Sequence, residues 1–464
     1  MSGTDPSGDK ATGDRDHDIR EKEAPPRAEL GQLNRTMGLP AALAIGIGTM
    51  VGAGIFVFPG LVAEEQGASG IFAFLLAGVL ALAVALYTAE LATALPVSGG
   101  SYTVIERYLG RWAGRIVGLA QWAGLVFASA FYLAAFTDYA ADILTRLDLS
   151  APIAMSHSGP VAALLLTVII ALGGRRAGGL QAGIVLTLTA ALTLIFVAGL
   201  WQISAGAAGQ LAPRAFLPDA PLSLVSTAAM IFTAYIGFVQ IAAVGGEVRR
   251  PERNLPRSLV GSVLVVMTLY LLVYFVSATV LGPGPLADAG DTAVVDAGTA
   301  IAGIYGTAAV LGAGLLATLS SANASILSAS RTLFALARDG SVPRIFRHTG
   351  LGSNSPWVTV LVTGLPSAGL AYFTPRLLAE LASLLHLVIY GLICFAVWPA
   401  RRRATEDLAP AFRVPGPPAL AVIAGILCFS LVGFMSPQAL LASLIVLGVS
   451  SLVLFSYQLL SGRD

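Results

Sequence analysis

A glycine-rich stretch inside the first long apolar segment is where the sequence departs most from an ordinary helix. Residues 46–60 contain five glycines and end in Pro59-Gly60. Glycine weakens a helix and allows a ligand to approach the backbone closely. At membrane depth, each N–H and C=O group that leaves a helix needs a new partner. The stretch predicts either a helix interrupted to bind a substrate or an ion, or close helix packing, for which Gly48 and Gly52 have suitable spacing.

Few ionisable side chains lie within the apolar segments. His386, in the tenth segment, suits proton coupling or a hydrogen bond to a polar substrate side chain, because imidazole titrates near neutral pH. The alternative interpretation is a structural hydrogen bond between helices. We interpret Glu90 in the second segment as a hydrogen bonder in helix packing, and Asp138 near the end of the third as interfacial.

The positions of the lysines and cysteines argue against a lysine within the membrane, a disulfide and a cysteine metal site. The only lysines, Lys10 and Lys22, precede the first apolar segment, so we expect none in the membrane. Cys394 and Cys428 lie in apolar runs without the spacing of a disulfide or a metal site, which indicates small buried side chains. No cluster of histidines, cysteines or paired acids suggests an enzyme, and we predict no cofactor other than a sodium ion, considered below.

The composition predicts an all-α polytopic membrane protein. The chain has 464 residues, of which 56% are hydrophobic and 11% are charged. We predict about twelve membrane-spanning helices, because an apolar run of about 20 residues is long enough to cross a bilayer. The runs lie near residues 39–63, 69–95, 112–140, 159–174, 179–202, 222–245, 257–282, 302–330, 356–374, 378–399, 416–435 and 437–461.

Three regions follow from this division of the chain. Residues 1–38 are polar and lack an apolar run, which predicts a disordered cytoplasmic tail and not a signal peptide. The first span would then act as its own insertion signal. Residues 39–399 would form a core of ten helices, and residues 400–464 would hold helices 11 and 12 with a short tail. The polar segment 96–111 is interpreted as a loop or as a short amphipathic helix.

Arginine placement predicts the orientation of the helices. Most loop arginines follow even-numbered segments, whereas the odd-numbered loops hold only Arg146, Arg214 and Arg376. The positive-inside rule then places the even loops and both termini in the cytoplasm. Segments five apart in sequence consequently cross in opposite senses, as in an inverted repeat of five helices plus five. Such a repeat predicts a second broken helix, near Gly237 in the sixth segment.

From about residue 35 to its end, the chain resembles the amino acid–polyamine–organocation permease family. The resemblance is carried by motifs at residues 48–56, 96–102, 234–238, 247–256 and 321–343. It implies a five-plus-five inverted repeat of the leucine-transporter type, with broken helices 1 and 6 and two further helices. It also implies alternating access around a midplane site. Substrates of the family are mostly free amino acids and sometimes polyamines.

The resemblance also implies a substrate site made mainly of backbone groups. It places an α-carboxylate against the N–H groups of Gly52, Ala53 and Gly54, where a helix N-terminus favours an anion. It places the α-ammonium against carbonyl groups at the ends of half-helices, which lack partners there. These carbonyls belong to Met50, Thr233, Ala234 and Ile236. The family often has an aromatic lid at the position of Thr233, so either Phe232 takes this role or the site is more open.

Ion coupling has several open alternatives. Some proton-coupled relatives use a lysine on the fifth span, where this chain has Leu188, so exchange, sodium or another titrating group such as His386 remains. In sodium-coupled members of the wider fold, the ion is held between helices 1 and 8. The matching oxygens here are the carbonyls of Gly48, Val51 and Ala317 and the hydroxyls of Ser320 and Ser321. Hard oxygen ligands suit sodium, but serines in membrane helices also commonly bond to the backbone.

The resemblance implies a secondary transporter that moves amino acids across the cell membrane. A polyamine or organic-amine carrier and an amino acid exchanger are the alternatives within the same fold. A channel or a substrate sensor is also considered, although a pore would have polar residues on several spans. The expected partners are an amino acid and the lipid bilayer, not nucleic acid, and no oligomeric state is predicted.

Overall fold

The structure is a computed structural model that describes residues 35, 37–95, 101–148, 153–172, 177–207, 209, 211–218, 220–349, 356–402 and 410–461. The chain is all-helical in this range, and no β-strand occurs among these residues. The first half contains α1 Leu39–Met50, α2 Gly54–Gln66, α3 Ile71–Ala94, α4 Ser101–Leu109, α5 Arg111–Arg146, α6 Ser158–Ala171, α7 Ala177–Ser204 and α8 Pro221–Ile231. The second half contains a 3-10 helix Phe232–Phe238, then α9 Val239–Ala243, α10 Pro251–Leu281, α11 Pro283–Asp288, α12 Ala293–Arg338, α13 Trp357–Leu370, α14 Pro375–Arg402, α15 Ala419–Val432 and α16 Pro437–Ser461.

The helices confirm a polytopic membrane protein. Eight helical stretches in the described part of the chain are long and apolar enough to cross a membrane, with mean hydropathy from 1.7 to 2.5. The first of them, Leu39–Ala94, is 56 residues long, and three shorter apolar helices accompany the eight. Large apolar side chains such as Leu186, Leu194 and Leu444 are exposed on the surface, where a bilayer would cover them.

The predicted cytoplasmic segments are described only in part. Of the tail at 1–38, residues 1–34 and 36 lie outside the described residues, as do 96–100 of the segment at 96–111. The rest of that segment contains α4, which buries Tyr102 and Tyr108 and exposes Arg107. Of the two interpretations of this segment, the structure supports the short amphipathic helix over the loop for residues 101–109.

Backbone pairing fixes the chain before α1. The N–H group of Met37 donates to the carbonyl of Glu247 at 3.0 Å, and the N–H group of Arg249 donates to the carbonyl of Met37 at 2.8 Å. This short bridge joins the start of α1 to the segment between α9 and α10. The first helix therefore begins at a fixed point beside the end of the sixth predicted span.

A buried ion pair joins the second predicted span to the end of α14, just after the tenth predicted span. Arg401 in α14 contacts both carboxylate oxygens of Glu90 in α3, with Nε–Oε1 at 2.6 Å and Nη2–Oε2 at 2.7 Å. Arg401 also donates to the carbonyls of Val414 and Gly416, and the Val414 N–H group donates to Glu90 at 3.0 Å. The interpretation of Glu90 as a hydrogen bonder in helix packing is therefore confirmed, with an arginine as its partner.

Candidate functional site

The first helical stretch is interrupted at the glycine cluster. Residues 51–53 form a turn between α1 and α2, where Val51 has a ψ angle of 62° that no α-helix continues. The Val51 N–H group still donates to the carbonyl of Ile47. None of the four following N–H groups, at residues 52–55, has an acceptor among the described residues. Four adjacent donors at the N-terminus of α2 can therefore bind an anionic group.

The glycines of this turn lie too close to other helices to carry a side chain. A Cβ atom at Gly52 would lie 2.6 Å from Oγ of Ser321 in α12 and 3.0 Å from the ring of Tyr132 in α5. At Gly54 it would lie 2.5 Å from the hydroxyl oxygen of Tyr270 in α10. The turn is therefore enclosed by α5, α10 and α12, and any larger residue would displace a neighbour.

The second interruption lies between α8 and α9. The N–H group of Thr233 leaves the helical pattern and donates to Oγ of Ser383 in α14 at 2.7 Å. The same hydroxyl donates to the carbonyl of Met230 at 2.8 Å. Ser383 is fully buried, and its side chain therefore completes the hydrogen bonding on both sides of the point where α8 ends.

The two interruptions are in direct contact. Oγ1 of Thr49 in α1 lies 3.0 Å from the carbonyl oxygen of Gly237, and it also lies 2.8 Å from the carbonyl oxygen of Ile45 in its own helix. A Cβ atom at Gly237 would lie 2.3 Å from the same Thr49 oxygen and 2.7 Å from the backbone nitrogen of Met50. The close approach needs glycine, and it brings the end of α1 against the 3-10 helix. Of the residues predicted to bind an ammonium group, the structure thus brings Met50 near the segment that holds Thr233, Ala234 and Ile236.

Two tyrosine hydroxyls donate to carbonyls at the interruptions. Tyr270 in α10 donates to the carbonyl of Met50 at 3.3 Å, and Tyr390 in α14 donates to the carbonyl of Ile236 at 2.9 Å. Sequence reasoning missed both residues. The available signal was a tyrosine inside an apolar segment, because a hydroxyl buried at membrane depth needs a hydrogen-bond partner.

Three buried hydroxyls near the interruptions have no hydrogen-bond partner among the described residues. They belong to Thr233, Ser320 and Ser321. Ser321 is 1% exposed and contacts Gly52, so it lies at the first interruption. The packing alternative for Ser320 and Ser321 required bonds to backbone or neighbouring helices, and the described residues supply none.

The other predicted ion ligands lie on the two helices that meet at this point. Ala317 is buried in α12, one helical turn before Ser321. Val51 begins the turn after α1, and Gly48 lies in the last turn of α1, where its Cα faces Val185 of α7.

His386 lies one turn from Ser383 on α14 and packs against α5. Its Nδ1–H group donates to the carbonyl of Ala382 at 2.8 Å, and its ring occupies the space left by Gly124. The ring centroid is 5.9 Å from that of Tyr390. This hydrogen bond joins two residues of α14. It therefore differs from the hydrogen bond between helices that was the structural alternative for His386. Ser383, His386 and Tyr390 have the i, i+3, i+7 spacing of one helix face.

The predicted lid residue is enclosed. Phe232 is fully buried, and its ring meets that of Tyr390 edge-on at 5.8 Å. Thr233, at the position where the family often has an aromatic residue, is 2% exposed. Phe232 thus places an aromatic ring one residue before Thr233, and its role as a lid stays a prediction.

Sequence comparison identifies the family. A model of the amino acid permease family matches residues 37–456, which include all but the last few residues of the sixteen helices. The chain belongs to this family. The matched range begins at Met37, where the backbone bridge fixes the start of α1, and it contains both interruptions of this permease.

Three relatives cover most of this permease. The serine/threonine exchanger SteT of Bacillus subtilis (strain 168) is 28% identical over 399 residues, or 84% of this chain and 89% of SteT. The branched-chain amino acid permease BcaP of Lactococcus lactis subsp. cremoris (strain MG1363) is 28% identical over 414 residues, covering 82% and 85%. The methylthioribose transporter of Bacillus subtilis (strain 168) is 27% identical over 443 residues, covering 92% and 94%. The names of SteT and BcaP agree with a function in amino acid transport.

Proposed function

We propose that this permease is a secondary transporter that carries free amino acids across the cell membrane by alternating access. One observation carries the proposal. The N–H groups of residues 52–55, which have no acceptor among the described residues, lie beside the backbone carbonyls of the second interruption. Backbone donors bind a carboxylate, and backbone acceptors bind an ammonium group. An α-amino acid carries both groups on the same carbon atom, the α-carbon. A site of this kind reads the part that all amino acids share.

In this proposal the predicted site residues have the following roles. The N–H groups of Gly52, Ala53 and Gly54 bind the α-carboxylate. The α-ammonium binds carbonyls of the two interruptions, namely those of Met50, Thr233, Ala234 and Ile236. Phe232 covers the site, and His386 contacts the substrate side chain or couples transport to protons.

We also propose the finer topology. The 56-residue stretch Leu39–Ala94 can cross the membrane twice. With the other seven long stretches and the three shorter helices, this gives twelve spans, of which the first and sixth are broken. The arginine distribution supports cytoplasmic termini.

Cysteine labelling tests this topology. Cys394 and Cys428 are both buried, so a single cysteine can be added as a probe. A membrane-impermeant thiol reagent should label Arg253→Cys only after permeabilisation and Ala205→Cys in intact cells; the reverse pattern would invert the topology.

A sodium ion between the first interruption and α12 is a further part of the proposal. The buried hydroxyls of Ser320 and Ser321 support it, because neither has another partner among the described residues. With the carbonyls of Gly48, Val51 and Ala317 they offer five oxygens, a donor set suited to a hard cation. Bound sodium would supply positive charge beside the N–H groups that receive the carboxylate.

Uptake by reconstituted protein tests the function and the ion together. Proteoliposomes should accumulate labelled amino acids. Competition then shows which class of compound is carried, when unlabelled amino acids, polyamines or methylthioribose are added one at a time. Replacing sodium by choline at fixed pH should reduce accumulation, as should Ser321→Ala. Accumulation that is unchanged by choline would exclude sodium coupling. Absence of amino acid uptake together with unitary conductance would indicate a channel, and ligand binding without either would indicate a sensor.

A further inference from the structure

Two of the four carbonyls proposed for the ammonium group already have a side-chain donor. The hydroxyl of Tyr390 bonds to the Ile236 carbonyl at 2.9 Å, and the hydroxyl of Tyr270 bonds to the Met50 carbonyl at 3.3 Å. Tyr270 is 1% exposed and Tyr390 is fully buried. They come from different helices, α10 and α14, yet each reaches a different interruption. No side chain among the described residues donates to the carbonyls of Thr233 or Ala234.

The Tyr390 bond occupies an acceptor position that an ammonium group would need, whereas the Tyr270 bond leaves the second lone pair of the Met50 carbonyl open. A carbonyl oxygen has two lone pairs. The Ile236 carbonyl also accepts the N–H group of Val239, so its two positions are filled while Tyr390 is bound. The Met50 carbonyl has no backbone donor among the described residues, and Tyr270 satisfies it. A substrate that binds Ile236 must therefore displace a tyrosine hydroxyl.

A carbonyl left without a donor in a dry site is unfavourable. An empty carrier must pass through a state closed on both sides before it can return, and its binding carbonyls are then cut off from water. Without the two tyrosines, the empty form would leave the Met50 carbonyl with no donor among the described residues and the Ile236 carbonyl with the Val239 N–H group alone. The loaded form would then be favoured, and the protein would exchange one substrate for another. A hydrogen-bond donor supplied by the protein would satisfy these carbonyls in the empty carrier, so that the empty carrier could also return.

We propose that Tyr270 and Tyr390 are positioning residues that take the place of the substrate ammonium in the empty site, and that they thereby allow the empty carrier to return and net transport to occur. The inference rests on the proposed function, since it assumes that amino acids bind at the two interruptions. It extends that function by assigning a transport mode to particular hydroxyl groups.

The test compares two modes of transport in the same protein. Net uptake is measured into empty proteoliposomes, and exchange into proteoliposomes that contain an unlabelled mixture of the common L-amino acids. The same mixture, radiolabelled, is the external substrate in both assays. In Tyr270→Phe/Tyr390→Phe, the ratio of net uptake to exchange should fall about tenfold or more, the effect of roughly one lost hydrogen bond in the empty state. Substrate affinity should rise, because no hydroxyl has to be displaced.

Tyr274→Phe is the matched control. Tyr274 is also fully buried in α10, and its hydroxyl donates to the carbonyl of Gly67, which is not one of the proposed ammonium carbonyls. Its ratio should equal that of the wild type. If the double variant does not fold, Tyr390→Phe alone should lower the ratio in the same direction.

An unchanged ratio in the variants of Tyr270 and Tyr390 would overturn the inference, and so would an equal fall in Tyr274→Phe. A wild type that performs exchange but no net uptake would also overturn it, while leaving the proposed function intact. A wild type that carries amino acids in neither mode would overturn the proposed function itself.

Discussion

At the scale of single residues, backbone groups and not charged side chains define the candidate site. The turn at residues 51–53 releases donors, and the 3-10 helix Phe232–Phe238 presents acceptors beside it. Glycine is needed where the helices approach most closely, at Gly52, Gly54 and Gly237, because a Cβ atom at each position would overlap a neighbour. The site is therefore sensitive to the smallest additions of volume.

Gly54→Val should weaken amino acid binding by about 100-fold or more, which corresponds to about 2.7 kcal/mol. The added side chain would meet the Tyr270 hydroxyl and would cover the free N–H groups. Binding is measured by calorimetry on the purified protein, and size-exclusion chromatography checks that the variant is folded. Gly312→Val is the control, since nothing lies within 4 Å of a Cβ atom at this position in α12. Wild-type affinity in Gly54→Val would show that the glycines serve packing alone.

The sequence predicted the membrane class, because hydropathy is a local signal. Its glycine cluster lies where the first helical stretch is interrupted, but the cluster by itself was equally consistent with close helix packing. The sequence did not predict the side chains that complete the site. Tyr270 lies 220 residues from Met50 along the chain, Tyr390 lies 154 residues from Ile236, and Ser383 lies 150 from Thr233. Only tertiary packing brings such pairs together, and the local sequence around a tyrosine or a serine does not name its partner.

At the scale of helices, α14 supports the second interruption. Its face with Ser383, His386 and Tyr390 lies along the 3-10 helix, and two of these side chains bond to backbone groups there. The sixth span was predicted to break near Gly237 from a weak signal. The α-helical pattern ends earlier in the structure, after Ile231, where Ser383 provides a partner for the released groups.

Ser383→Ala should lower the free energy of unfolding by about 1–3 kcal/mol, because two buried backbone groups lose their partner. The melting temperature should fall, and it is measured by differential scanning fluorimetry in detergent. Ser451→Ala is the control: among the described residues its hydroxyl bonds only within its own helix, to the carbonyl of Leu447. Equal melting temperatures for the two variants would mean that Ser383 does not maintain the interruption.

At the scale of the whole molecule, a few polar ties connect elements far apart in sequence. The Glu90–Arg401 pair links α3, α14 and the segment before α15, and the bridge at Met37 links the start of α1 to the segment before α10. The side chains of the ion pair are only 2% and 5% exposed. A buried pair of this kind is costly to break on one side only, because the remaining charge lacks compensation.

Glu90→Gln should destabilise the protein by about 3–5 kcal/mol, because it leaves the buried Arg401 guanidinium without its counter-charge. The double variant Glu90→Gln/Arg401→Gln should regain part of this loss. Unfolding in detergent, followed by circular dichroism, measures all three proteins. Equal destabilisation in the single and double variants would contradict an electrostatic origin.

The most direct test of the site is calorimetric titration with an amino acid and its two blocked forms, the methyl ester and the N-acetyl derivative. The amino acid used is the one that competes most strongly in the uptake assay. If backbone donors hold the carboxylate and backbone carbonyls hold the ammonium, the free amino acid binds and each blocked form binds about 100-fold more weakly or not at all. Equal binding of the three compounds would contradict this assignment of the two interruptions.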